Sequence, residues 1–192
     1  MRQATLQRIT GETTISITLN LDQAKASSIN TKIPFLDHML SLMAFHGQFT
    51  LNIDAKGDLL VDSHHTVEDI AIVLGEVFKE AIGTKEGIAR YASLFSPMDE
   101  TLTRIALDIS NRPTLVFSWS YVRESIGGLA LENVREFLKA FTDNARLTLH
   151  TSVLYGDNDH HKVESIFKGI GRALREAVLI KGNSVPSTKS VL

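Results

Sequence analysis

The 192-residue chain has no cysteine, one tryptophan, four prolines and no apolar run longer than the five residues from Ile70 to Leu74. Without cysteine there is neither a disulfide frame nor thiolate ligation, so any metal must be held by nitrogen and oxygen. So short an apolar run cannot span a bilayer, and Met1-Arg2-Gln3-Ala4-Thr5 carries no apolar signal core. A basic excess is also missing. The formal net charge is −2, which argues against a general nucleic-acid surface while leaving local basic pockets open. A soluble cytoplasmic protein is expected. With neither a linker nor a low-complexity segment, the chain is expected to share one core. It divides into a first half over 1–87, a second over 88–182 and a polar tail over 183–192.

What the chain does have is a repeat. His64-His65-Thr66-Val67-Glu68 returns ninety-six residues later as His160-His161-Lys162-Val163-Glu164, and Ile70, Gly75, Glu80 and Ala81 fall on Ile166, Gly171, Glu176 and Ala177 under the same shift. Upstream the shift becomes eighty-eight, where Glu12-Thr13 meets Glu100-Thr101, and then ninety-eight around Phe35 to Leu51. Whole supersecondary units are duplicated, with loops of different length between them.

Period-two alternation marks strands at Thr14 to Leu21, Phe49 to Ile53, Leu102 to Ile109 and Leu147 to Val153. Apolar spacings of three and four mark helices at Pro34 to Phe45, His65 to Ile82, Leu131 to Ala145 and His161 to Val178. Each half therefore reads strand, strand, helix, strand, a further strand, helix. The helix from Phe35 to Phe45 is apolar nearly all round, with Leu42 and Phe45 on the side of His38. That pattern fits either a subunit contact or a thick intrachain core.

With Ile70 set at zero on a helical wheel, Val67, Leu74, Val77, Phe78 and Ala81 fall within about 80° of it, whereas His64, Glu68 and His65 fall near 120°, 160° and 220°. Imidazole and carboxylate groups thus project away from the core, and the second motif keeps the same phase. Ser63 and Asp159 are the expected N-caps, which puts the histidines at helix starts, where the dipole favours a neutral, ligating ring. One His-His-x-x-Glu alone reads as a solvated first turn; two in phase read as a metal centre. His38 and Glu136 occupy matching places on the earlier helices and offer one further ligand per half, the alternatives being a satisfied polar residue and an exposed helix charge. His46 and His150 match asparagines and are left outside the metal shell. Such a donor set suits Mn, Fe, Co, Ni or Zn.

Six ordered blocks then resemble one family. They are Phe35-Leu36-Asp37-His38-Met39-Leu40, Asp62-Ser63-His64-His65-Thr66-Val67-Glu68-Asp69, Pro97-Met98-Asp99-Glu100, Asp108-Ile109-Ser110-Asn111-Arg112-Pro113, Asn158-Asp159-His160-His161-Lys162-Val163-Glu164-Ser165 and Pro186-Ser187-Thr188-Lys189. Together they are similar to imidazoleglycerol-phosphate dehydratase of histidine biosynthesis, essentially end to end. The resemblance implies an α+β fold, an internal duplication of a β-β-α-β-β-α unit with helices packed between two mixed four-stranded sheets. It also implies a 24-subunit homo-oligomer with two manganese ions in sites between subunits. One ion would be held by His38, His65, Glu68 and His160, and the other by His64, His161, Glu164 and Glu136, where many family members have histidine.

The implied reaction is a hydro-lyase step, the loss of water from an imidazole bearing a glycerol phosphate to give imidazoleacetol phosphate. The departing proton is not beside a carbonyl. Metal-assisted ionisation of the ring to an imidazolate would supply the push, with His65, Glu68, His161 and Glu164 around it and Glu12 as the proton-transfer group. For the phosphate the resemblance implies Arg90, Arg112, Lys168, Ser187, Thr188 and Lys189, the tail closing over substrate; Glu12 also belongs to the substrate set. The charges are of a type that binds phosphate. Gly169-Ile170-Gly171 lies within a helix pattern and does not count as a phosphate loop. Two rivals are a metal-dependent phosphoesterase, for which paired ions and a basic pocket would look alike, and a noncatalytic β-α module of the kind found in ribosomal proteins.

Overall fold

A computed structural model describes residues 1–189 and 191–192. In chain order the elements are β1 (Gln3–Ile9), β2 (Thr13–Asn20), β3 (Ser28–Asn30), α1 (Pro34–Gly47), β4 (Thr50–Gly57), α2 (His64–Ile82), β5 (Tyr91–Met98), β6 (Thr101–Asp108), β7 (Thr114–Ser118), β8 (Ser125–Ile126), β9 (Leu129–Ala130), α3 (Glu132–Ala145), β10 (Thr148–Tyr155) and α4 (Asp159–Ala177). Two four-stranded sheets have the same order, β1-β2-β4-β3 and β5-β6-β10-β7. In each, three long strands are antiparallel and a short outer strand, β3 or β7, is parallel to its neighbour, so both sheets are mixed.

Each half therefore supplies one four-stranded sheet and two helices, the second half adding the β8–β9 hairpin, and the short strand of each sheet runs before the first helix of its half. The edge strands β1, β3, β5 and β7 were not marked by alternation in the sequence. Their inward residues are few, as in β1, where Ala4 alone is buried, so the period-two signal is thin. The inner strands show it clearly, with Ile15, Ile17 and Leu19 of β2 and Ile105 and Leu107 of β6 buried on alternate positions.

Helix α2 lies on β1 and β2, and α4 on β5 and β6, while α2 also packs against α3 and α1 against α4. Each half thus lends its first helix to the second helix of the other. The stripe of Val67, Ile70, Leu74, Val77 and Phe78 is buried to 2 % exposure or less, each side chain contributing about 1.5–3 kcal/mol relative to exposure. Burial on α2 extends to Ala71 and Val73 because the helix is covered by a sheet on one side and by α3 on another. Repeat-related glycines set the approach. A Cβ at Gly75 would lie 2.7 Å from the Asn144 Cβ and 2.8 Å from the Phe141 carbonyl oxygen, and one at Gly171 would strike the Met43 carbonyl oxygen. The C-caps Gln48 and Arg146, ninety-eight apart, are both left-handed (φ 53° and 55°), so the duplication reaches the backbone.

On α1, Leu36, Met39, Leu40 and Met43 are buried against the chain, but Phe45 is 76 % exposed and His38 is also exposed. The second apolar side of this helix is therefore not covered by an intrachain core. No helix among the described residues is long and apolar enough to cross a membrane.

Candidate metal centre and active site

His64 is the first residue of α2 and His160 the second of α4. Ser63 is the N-cap of α2 as expected, though its side chain does not cap, whereas the N-cap of α4 is Asn158 and not Asp159. Asn158 caps α4, its Oδ1 accepting from the His160 N–H at 2.9 Å, and Asp62 Oδ1 accepts from the His64 N–H at 2.7 Å. An Asx side chain two residues ahead reaches that N–H. Ser63 and Asp159 are drawn elsewhere: Ser63 Oγ accepts from Asn133 Nδ2 at 3.1 Å, and the buried Asp159 carboxylate accepts from the Val122 and Arg123 N–H groups and from Lys162.

Because α1 packs on α4, His38 arrives beside the second motif. Nε2 of His160 is 3.1 Å and Nε2 of His38 is 3.8 Å from Glu164 Oε2, and the three ligand atoms lie within 4.8 Å of one another. Phe35 packs edge-on against the His160 ring, centroids 5.0 Å apart. Burial acts to raise the Glu164 pKa, but the ion-paired Lys168 one turn on, together with His160, holds it below the ordinary glutamate value.

The packing of α3 on α2 makes the repeat-related arrangement. His64 Nε2 is 3.9 Å from Glu68 Oε2, and His64 Nδ1 is 3.1 Å from Asn133 Oδ1. Asn133 is the repeat mate of Phe35. Glu136, the mate of His38, lies one turn further along α3, half-buried and 3.9 Å from Arg135. The second histidines reach other acids. His65 Nδ1 is 2.9 Å from Asp58 Oδ2 and 3.8 Å from Glu12 Oε2, while His161 Nδ1 is 2.7 Å from Glu100 Oε2 and its Nε2 is 3.8 Å from Asp99. The Asp58 hydrogen bond raises the His65 pKa. The Asn158 N–H first, and His161 next, draw the Glu100 pKa down to about 2.

Three of the four motif histidines thus have Nδ1 engaged, which leaves Nε2 as the free donor, the usual construction of a metal-binding imidazole. Nitrogen and carboxylate donors so oriented fit a divalent ion of the Mn-to-Zn range. The sequence did not single out Asp58, Glu100 or Asn133 as site residues. Glu100 could have been found as the repeat mate of Glu12, and Asp58 through its match with Asp157 after the paired glycines Gly57 and Gly156; Asn133 had no ligand-type mate to betray it.

Arg90, Arg112, Ser187, Thr188 and Lys189 line one cavity of about 760 Å³ at the tail. Arg90 is largely committed there: Nε and Nη2 donate to Asp108 at 2.7 and 3.2 Å, and Nη1 donates to the Pro186 carbonyl at 2.8 Å. It fastens the tail, while Arg112 and Lys189 stay exposed. Lys168 is not in this cavity; it sits with Glu164. His46 lies in a separate cavity of about 770 Å³ that contains none of the expected site residues, its pKa lowered by burial and then by Lys168 and Arg172. His150 is exposed on β10.

A family model for imidazoleglycerol-phosphate dehydratase matches residues 31–174. Relatives of that name in Clostridioides difficile (strain 630) and Azorhizobium caulinodans are 50 % and 54 % identical, over 100 % of this chain and 100 % and 99 % of theirs. The crystal structure of the Staphylococcus aureus dehydratase superposes with a TM-score of 0.84 at 42 % identity, covering 93 % of this chain and 99 % of that one. A Pyrococcus furiosus structure in complex with (S)-C348 gives 0.83 at 37 % identity, covering 97 % and 100 %. Full-length likeness of sequence and fold, joined to the duplicated histidine clusters, shows that this chain belongs to the imidazoleglycerol-phosphate dehydratase family.

Proposed function

We propose that the chain is a hydro-lyase that dehydrates imidazole glycerol phosphate to imidazoleacetol phosphate in histidine biosynthesis. The observation that carries this reading is the coexistence, in a full-length relative of the dehydratases, of the duplicated His-His-x-x-Glu motif, a histidine–carboxylate cluster at His38, His160 and Glu164, and a basic tail cavity. A hydroxyl and a neighbouring proton leave as water, and the resulting enol tautomerises to the ketone.

Two divalent ions per site, manganese by preference, would be held by His38, His65, Glu68 and His160, and by His64, His161, Glu164 and Glu136. Bound cations would supply Lewis acidity, lowering the pKa of an azole N–H and so providing electron push toward the departing hydroxyl. Glu12, exposed beside His65, transfers the proton. Arg112, Lys189 and the Ser187 and Thr188 hydroxyls hold the phosphate, and Arg90 keeps the tail in place to close over it.

The ligand pairing supports a site between subunits. His38 lies beside His160, yet among the described residues no cluster of three ligand atoms joins them to His65 or Glu68. In the first expected set His38 and His160 share a cluster while His65 stands with Asp58 and Glu12, and in the second Glu164 is in that first cluster while His64 faces Glu68 and His161 faces Glu100, so a second copy would have to gather each set. The exposed face of α1 bearing Phe45 and His38 is available for that contact, in keeping with the 24-subunit assembly that the resemblance implies. Metal analysis with turnover of imidazole glycerol phosphate before and after chelation tests the proposal. Ketone without phosphate release, lost on chelation and restored by metal, is the expected result; free phosphate as product would overturn it.

A further inference from the structure

Glu12 and Glu100 hold the same repeat position, one ahead of β2 and the other ahead of β6, but they are used differently. Glu100 is fully engaged. Its Oε2 faces His161 Nδ1 at 2.7 Å, and its Oε1 accepts from the N–H groups of Asn158 and Asp157 at 2.9 and 3.2 Å and from the Thr101 hydroxyl at 3.1 Å. One carboxylate thereby ties the β5–β6 turn both to the ring of His161 and to the segment that opens α4. In the first half the corresponding place at His65 Nδ1 is taken by Asp58, which comes from the end of β4 and lies at 2.9 Å. Glu12 stands off at 3.8 Å, and its carboxylate makes no hydrogen bond among the described residues.

We propose that Asp58 and Glu100 are positioning residues that orient His65 and His161 through Nδ1, and that the use of Asp58 in the first half is what leaves Glu12 unengaged. The inference rests on the ligand reading above. An imidazole whose Nδ1–H donates to a fixed carboxylate keeps one tautomer and one ring orientation, and presents the Nε2 lone pair outward. A carboxylate with both oxygens occupied, like that of Glu100, cannot also exchange a proton with substrate. The free one can. The duplicated chain thus assigns anchoring to one acid of each half and keeps a single repeat-position glutamate for chemistry.

The test is titration of the metal-stripped full-length chain with Mn²⁺ in competition with a chromophoric chelator. Asp58→Ala and Glu100→Ala should each weaken binding about 10–100-fold. Asp58→Asn, whose Oδ1 can still accept from Nδ1–H, should recover most of that loss. Glu12→Gln should bind like the parent while turning over slowly. Metal-free unfolding midpoints for the Asp58 variants equal to the parent's would assign the loss to ligand orientation. The proposal is overturned if Glu12→Gln weakens binding as much as Asp58→Ala, or if Asp58→Asn is as damaging as Asp58→Ala. His65→Ala separates the two levels of argument. Parent-like affinity there removes the ligand reading itself, whereas lost affinity there with none lost in Asp58→Ala removes this inference alone.

Discussion

Replacing Gly171 by alanine sets two effects of opposite sign against each other. Alanine is favoured over glycine in a helix interior by about 0.8–1.0 kcal/mol, and Gly171 is well inside α4. The added methyl, however, would collide with the Met43 carbonyl oxygen and lie 3.1 Å from the Gly47 amide nitrogen. Both are backbone atoms of α1, with no rotamer to swing away, so the overpacking cost belongs near the upper end of the usual range, about 3 kcal/mol. The net is a destabilisation of about 2 kcal/mol, or a fall of about 4–8 °C in melting temperature for a domain of this size. The variant should also bind Mn²⁺ less tightly, because separating α1 from α4 draws His38 away from His160 and Glu164. Thermal unfolding at fixed protein concentration and a metal titration read the two consequences. Gly182→Ala is the control, since a Cβ there meets nothing within 4 Å. A Gly171→Ala chain that melts higher than the parent would refute the reasoning, for it would mean that helix propensity outweighs the interhelical contact.

Lys189→Ala is expected to raise KM several-fold with metal content intact, measured by steady-state kinetics beside elemental analysis; an unchanged KM would remove Lys189 from the phosphate site. Asp22 receives Arg2 through its side chain and backbone, and its pKa is held below 3.8. A depressed carboxylate stabilises the fold above its unfolded pKa and loses that effect as pH falls through the folded value. The difference in urea midpoint between the parent and Asp22→Asn should therefore be present at neutral pH and disappear as pH falls through the lowered folded-state pKa. Chelation should lower the assembly size in sedimentation velocity, with re-addition of metal restoring it, because ligands from separate copies couple binding to association.

The helices and inner strands were legible because both periodicities are local. Val67, Ile70 and Leu74 announce α2, and Ile15, Ile17 and Leu19 announce β2, without reference to anything distant. The edge strands were not, since β1 and β3 bury too little to alternate. The metal-ligand candidates came from duplication, phase and family likeness, and His46 lies in a different cavity from the tail residues. Ser63 is the N-cap of α2 as read, but its hydroxyl is claimed by Asn133 and Asp62 accepts from the His64 N–H instead, while Asn158 displaces Asp159 as the N-cap of α4 because tertiary hydrogen bonds claim Asp159.

By itself the amino-acid sequence determined the donor types, their direction on each helix and the twofold character of the chain, all of which follow from 3.6-residue and two-residue periods acting over short distances. Which donors meet was decided by tertiary structure alone. Close crossings at Gly75 and Gly171 pack α3 on α2 and α1 on α4, so that His38 stands with His160 and Glu164 of the other half. Long-range helix pairing also freed Asn133 to hold His64, and the β4 turn brought Asp58 to His65 in the place that repetition alone would have given to Glu12. Such partners are separated by tens of residues and joined only by packing, which no local period encodes.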